Sequence, residues 1–409
     1  MTAVPADLPA DKAARTKKKG RSLWWVVHSW AGLKLSIFMT FILATGTLAV
    51  LAHEFDWMVT PAMRVAPQAA PQVSIGQIAA AAQADVPGGR LQAVYMPIDP
   101  WFAAEVWVDR GKKRIERVYV NPWTAEVTGH GGWANIHRFL RQTHRHLMLP
   151  VKYGVPIVCS LSFLLLASLI TGLVTYKKFW RGFVRNPHWS GGARRLSGDL
   201  HRLGGLWSLW FVALMIATGL WYLVEELGGN APPHPQPPKL KAELSAPAGP
   251  ELDALVARAQ AAYPNLRITE VRFPTAKGAR GLVVQGQADA LLVRDRSNAV
   301  WVNPADGKVL MVAKGETLNV HQRISEMADP LHFGTWGGLP VKLVWFVFGV
   351  IMTGLSVTGV MIYSLRLKAA AEEGRGPWAR AFRGMGVWIY PAIGLILLSL
   401  VLTPGGLAG

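Results

Sequence analysis

The chain has 409 residues, 51% of them hydrophobic, with 18 tryptophans, one cysteine and a formal net charge of +18. A bilayer core takes roughly 20 apolar residues per helix, and five stretches reach or approach that length. A soluble enzyme is therefore excluded, and the basic balance reflects membrane topology rather than nucleic-acid binding. The lone Cys159 excludes an intrachain disulfide and a cysteine metal cluster.

Residues 1–22 form a basic N-terminal segment with Lys17, Lys18, Lys19 and Arg21, followed by span one, 23–52. That span is longer than the apolar core of a signal peptide and lacks a small-residue cleavage site, so it reads as retained. Residues 53–150 form a first external domain. Its segment 74–85 has helical spacing, and strand-like runs follow at 94–97, 105–108 and 119–122, the last ending at the turn Asn121-Pro122. The cluster Arg110, Lys112, Lys113, Arg114 and Arg117 reads as a solvated hairpin.

Span two is 151–176, a basic loop covers 177–202, and span three is 203–227. Residues 228–340 open with the extended linker around Pro232, Pro233, Pro235, Pro237 and Pro238. The pattern of the first external domain then returns, with a helix at 251–263 and strand-like runs at 271–274, 282–284 and 301–304. Span four is 341–365, a basic loop covers 366–386, and 387–403 is a short fifth span. Lys and Arg concentrate in the N-terminus and the two short loops, which puts those segments in the cytoplasm and both long loops outside. The expected fold is an α-helical membrane bundle. Its four core spans form a parallel two-fold repeat, joined by a fifth span and by two α+β external domains, each with one helix against its own short sheet.

Histidines recur at matching points. His28 opens span one and His201 opens span three, and seventeen positions on each reaches Thr-Gly, at Thr45-Gly46 and Thr218-Gly219. His144 precedes span two and His332 precedes span four, with Thr171-Gly172 and Thr358-Gly359 near the far ends. In a parallel repeat, equivalent residues lie at equal depth, so His28 would face His201 and His144 would face His332. Ionisable groups in spans are costly and usually functional. Facing imidazoles from two helices suit the axial positions of a haem iron, and without a C-x-x-C-H motif that haem would be non-covalent. His146 and His137 are alternatives for the outer ligand. Arg202 beside His201 and Arg145 beside His144 could pair with the anionic propionates. The Thr-Gly pairs read as small-residue contacts between helices, and the tryptophans as interfacial belts. A straight helix from His144 to Thr171 would run about 40 Å, and Pro150, Pro156 and Pro340 are the residues that would kink or break the helices near the outer surface. His53, His130, His188, His234 and His321 read as surface or loop residues.

The helix-opening His28, the His-Arg-x-Leu at His144, the Asp-Leu-His-Arg ending at Arg202 and the Pro-Leu-His ending at His332 occur in order over residues 20–367. With the repeated external domains they give a chain that resembles the PepSY-associated transmembrane-helix family of iron-regulated membrane proteins. The external domains look like PepSY modules. The resemblance implies two b-type haems, bis-histidine ligated by His28, His201, His144 and His332, and an oxidoreductase that reduces ferric-siderophore iron outside a bacterial inner membrane.

No nucleotide-binding glycine motif is present, so the electron donor would be external, a quinol or a cytoplasmic flavoprotein. Two other readings stay open: a non-catalytic membrane module that binds a peptide or protein partner, and a transporter, for which repeats argue but acidic residues within spans are lacking.

Overall fold

The computed structural model describes residues 23–111, 114–176, 178–240, 247–275, 279–368 and 376–408. Lys17, Lys18, Lys19, Arg21, Lys112 and Lys113 lie outside these ranges.

Span one is broken. Helices α1 (Leu23–Leu33) and α2 (Ser36–Val50) meet at a 63° bend, and α3 (Ala52–Val59) continues from α2. Ser74 begins α4 (Ile75–Asp85) with a capping box, its hydroxyl accepting from Gln77 N while the Gln77 side chain returns to Ser74 N. Strands β1 (Arg90–Tyr95), β2 (Ala104–Asp109), β3 (Ile115–Val120) and β4 (Val127–Gly131) form an antiparallel meander.

Helix α5 (Ile136–His146) follows, its N-terminus satisfied by Asn135 and by Asp56, which accepts from Ile136 N and His137 N. It ends where Leu147 and Met148 both take φ of 57°. Span two is α6 (Val151–Cys159) with α7 (Leu161–Thr175), and span three is α8 (Ala193–Trp207) with α9 (Leu209–Val224). Beyond the proline-rich segment come α10 (Pro250–Ala262) and a second meander, β5 (Arg267–Arg272), β6 (Leu282–Gln287), β7 (Ala299–Val302) and β8 (Val309–Ala313). Helix α11 (Val320–Phe333) carries a second capping box, Asn319 with Gln322, and ends at the left-handed Gly334. Span four is α12 (Gly338–Lys368), followed by α13 (Pro377–Met385) and α14 (Ile389–Leu407).

Among the described residues, four helical runs are long and apolar enough to cross a bilayer: Val151–Thr175, Leu209–Gly229, Thr335–Arg366 and Pro377–Leu407. The bent α1–α2 pair makes a fifth if it is one span. The C-terminal run is much longer than the 387–403 stretch read from hydropathy, because the amphipathic α13 leads into it.

The two meanders differ from the separate sheets expected of them. They join edge to edge in one eight-stranded antiparallel sheet, ordered β4-β3-β2-β1-β5-β6-β7-β8. The junction pairs Ala93 with Arg272, Val94 with Val271 and Tyr95 with Glu270. Pairing β1 with β5 removes two open edges that would each expose unpaired backbone groups. Helices α4 and α10 lie together over the sheet, and Ile78, Ala82, Val94, Val106, Leu252, Val271, Val284 and Val302 form one buried core beneath them. Asp253 of α10 ties the two helices together, accepting from Ser74 Oγ at 2.6 Å and Gly76 N at 2.7 Å.

The basic hairpin is also less solvated than its charge pattern suggests. Arg117 is buried, with its guanidinium 3.3 Å from Glu105, and Arg110 is ion-paired with Glu116. In the bundle, Trp345 departs from the interfacial belt. It is buried against Phe211, whereas Trp24, Trp30, Trp207, Trp210 and Trp336 are exposed.

Candidate functional site

Two pairs of histidines face each other, each drawn from two distant parts of the chain. His28 of α1 and His201 of α8 have ring centroids 6.3 Å apart with planes at 81°. His144 of α5 and His332 of α11 have centroids 6.1 Å apart with planes at 33°.

Neither His144 nor His332 continues into the span that follows it. The left-handed turn at Leu147 and Met148 separates α5 from α6, and Gly334 separates α11 from α12. The straight 40 Å path from His144 to Thr171 therefore does not exist. Instead α5 packs against α2 and α11 against α9. The two layers are set by the seventeen residues from His28 to Thr45, at most about 25 Å of helix rise and less across the bend.

The hydrogen bonds fix which nitrogen of each ring is free. His144 Nδ1 lies 2.9 Å from Ile42 O, and His28 Nδ1 lies 3.1 Å from both Ser168 O and Thr171 Oγ1. A carbonyl only accepts, so both Nδ1 atoms carry the proton. His201 Nδ1 lies 3.0 Å from Thr358 Oγ1, and His332 Nδ1 lies 2.8 Å from Thr218 Oγ1. Each of those hydroxyls already donates to the carbonyl four residues back, Thr358 to Gly354 O at 2.7 Å and Thr218 to Leu214 O at 2.9 Å. Their oxygens must therefore accept, and again Nδ1 is the donor. All four imidazoles keep an Nε2 lone pair, the form that binds a metal ion.

The Thr-Gly pairs thus do more than bring helices together. Each pair meets a facing helix. Three of the four threonines accept from a histidine Nδ1, and the fourth, Thr45, lies three residues after the Ile42 carbonyl that serves His144. A Cβ on Gly172 would lie 3.4 Å from His28 Cε1, one on Gly359 3.5 Å from His201 Cε1, and one on Gly46 only 2.5 Å from His144 Cε1. At Gly219 the close neighbour is Ser162 Oγ, so that glycine does serve helix contact. The signal in the sequence was a Thr-Gly pair at a matching point of each of the four spans.

The other histidines and arginines have different surroundings. His137 stacks on His53, with centroids 3.9 Å apart, and is not brought to His332. Burial, reinforced by Lys342 and Arg117, pulls His53 down to about 3, so the stacked rings are neutral. His53 is thus a packed residue, not a surface one. His146 lies in the last turn of α5, its backbone against Gly154. Arg202 is committed to Asp199 at 3.2 Å and to Arg185 O at 2.9 Å. Arg145 and Arg141, one turn apart on α5, line a cavity beside His144.

That cavity, of about 1040 Å³, starts among Met39, Leu165 and Met352 in the bundle. Its lining also includes His144 and His332 and, at the sheet, Arg272, Phe273 and Trp301. The proline-rich segment forms one wall. His234 bonds Glu326 at 3.0 Å, and Gln322 donates to Pro232 O at 3.0 Å. Burial alone would raise the Glu326 carboxyl, but hydrogen bonds from Arg294 and Arg296 outweigh it and hold the group at about 2. Arg294 also reaches Asp329, which accepts from Tyr222 at 2.6 Å.

Among the described residues, no group of three or more His, Cys, Asp or Glu side chains is placed to hold a metal ion. An ion at either histidine pair would need its remaining donors from a ligand.

No curated protein matches the chain. The family described as the PepSY-associated TM region matches over residues 25–366, a stretch that holds all four facing histidines and stops before α13. The chain is a multi-pass membrane protein and belongs to the PepSY-associated TM region family.

Proposed function

We propose that this protein is a b-type haem oxidoreductase of a bacterial inner membrane, carrying electrons from the cytoplasmic side to a periplasmic acceptor, ferric iron held in a siderophore. The observation that carries this reading is the pair of facing imidazole pairs, each ring with its Nδ1 donated and its Nε2 free. An ion held between two imidazole nitrogens at about 2 Å each would set the ring centroids about 6 Å apart. The separations of 6.3 and 6.1 Å fit that span. The donor set fits as well, since two nitrogens without a third protein ligand among the described residues suit a macrocycle that would supply the other four. His28 and His201 would hold one haem, and His144 and His332 the other.

When bound, the haem supplies a one-electron change at iron. The chain's own residues do the rest. The Nδ1 bonds orient the rings and raise their basicity toward metal. Arg141 and Arg145 face the cavity without a carboxylate ion pair among the described residues, and would take the two propionates of the outer haem. Met39, Leu165 and Met352 line the cavity in the bundle, and a lining that extends past the outer pair to Arg272, Phe273 and Trp301 would give a solute access to it. Arg202, already paired with Asp199, is a weaker partner for the inner haem. The basic N-terminus and short loops support a cytoplasmic N-terminus. The repeated order of helices, strands and histidines supports a parallel two-fold relation with two PepSY-like modules fused through β1 and β5.

The test is the absorption spectrum of the purified full-length chain before and after dithionite. A Soret band that shifts on reduction is expected, with haem content roughly halved in H28A/H201A and in H144A/H332A. Absence of a Soret band would sink the proposal and leave a non-catalytic module. Unchanged haem content in either double variant would sink that ligand assignment.

A further inference from the structure

We infer that the two histidine pairs make electronically different sites, and that the residues receiving each Nδ1 proton set the difference by fixing the ring planes. The inference rests on the haem reading above. The inner rings are crossed at 81° and the outer rings lie within 33° of parallel.

Each plane has a visible cause. His28 is held on α7 by Ser168 O and Thr171, and His201 on α12 by Thr358. Gly172 and Gly359 leave room for the Cε1 edges of those rings at 3.4 and 3.5 Å. A ring pinned at Nδ1 and resting at Cε1 over a glycine has little freedom to rotate, and the two holding helices impose crossed orientations. In the outer pair the acceptors differ in kind, a backbone carbonyl at Ile42 for His144 and a hydroxyl at Thr218 for His332.

The orientation of an axial imidazole decides which iron d orbital it raises in energy. Crossed planes raise two orbitals alike and leave them nearly degenerate. Near-parallel planes raise one and split the pair. A low-spin ferric ion at the inner site therefore gives a highly anisotropic resonance with one very large g value, and one at the outer site gives an ordinary rhombic signal. The Nδ1–H bonds also strengthen imidazole donation and stabilise the ferric state, so removing one raises the midpoint potential of that site alone.

The experiment is low-temperature electron paramagnetic resonance with a redox titration on the oxidised full-length protein, comparing wild type with T358V, T358S, T218V and T218S. Two low-spin ferric signals are expected, one strongly anisotropic and one rhombic. T358V should alter only the anisotropic signal, raise only its potential and weaken haem retention there by about 10- to 100-fold, while T358S restores wild-type behaviour. T218V should do the same to the rhombic signal alone. Two signals of the same type would overturn the inference, as would a T358V effect confined to the rhombic signal or a T358S effect as large as that of T358V. A protein without haem resonances would instead overturn the haem reading itself.

Discussion

Replacing Gly46 with alanine sets a methyl group where the edge of His144 now lies. The new Cβ would stand 2.5 Å from Cε1 and 2.8 Å from Nδ1 of that ring, about 1 Å inside the optimum separation of carbon atoms. Relieving such overpacking costs about 1–3 kcal/mol. The ring's open side is the cavity, and moving there pulls Nδ1 off the Ile42 carbonyl, now at 2.9 Å. That forfeits about 1 kcal/mol more and turns Nε2 away from His332. The expected result is a folded protein with about half its haem, measured as the ratio of haem to protein after size-exclusion chromatography. Alanine at Gly172 or Gly359 would meet His28 or His201 at ordinary contact distance, 3.4 and 3.5 Å, so G172A and G359A should keep both haems. At Gly32 nothing lies within 4 Å, and G32A serves as a control that gains up to about 1 kcal/mol of helix propensity. Full haem content in G46A, or equal loss in G172A, would refute this account.

Gly334 has φ of 68°, and a Cβ there would lie 2.7 Å from Trp345. G334A should therefore displace the His332 turn and release only the outer haem, leaving the inner resonance intact. The Glu326 carboxyl falls from an ordinary 4.5 to about 2 on folding. A depressed carboxylate stabilises the fold fully above its unfolded value and loses that contribution as pH falls toward the folded one. About 3 kcal/mol should thus be lost between roughly pH 5 and pH 2. Thermal unfolding of the full chain against pH checks this, and E326Q should flatten the dependence. D253A removes the acceptor for Ser74 Oγ and Gly76 N and should cost about 1–3 kcal/mol, read as faster amide exchange at the start of α4.

Much of the architecture could be read from residue pattern, for identifiable reasons. Long apolar runs leave few alternatives to spans, and the capping residue Ser74 marks the start of α4 to within a residue. That four histidines recur at matching points is also visible in the chain. Which surfaces they meet is not. The break after α5 occurs at Leu147 and Met148, non-glycine residues in a left-handed conformation, and Pro150 just beyond them signals it, whereas Gly334 flags the equivalent break after α11. The fusion of two sheets through β1 and β5 was hidden, because alternation tells which face of a strand is buried and not which strand lies beside it. The Thr-Gly pairs look like ordinary helix contacts until the facing side chain is known. At Gly219 that simpler reading holds, with Ser162 as the neighbour. Arg117 departs from a solvated hairpin because a run of charges conceals a member whose strand position turns it inward, against Glu105.

The joined sheet has a consequence for how the protein comes into being. Each histidine pair takes one ring from early in the chain and one from late, and β1 waits for β5 to cover its edge. His144 is synthesised long before His332, and His28 long before the Thr358 that holds its facing ring, His201. On the haem reading, the inner site would be finished only once span four brings Thr358 to His201, and a chain truncated before β5 would carry the open edge of β1 and lack His332.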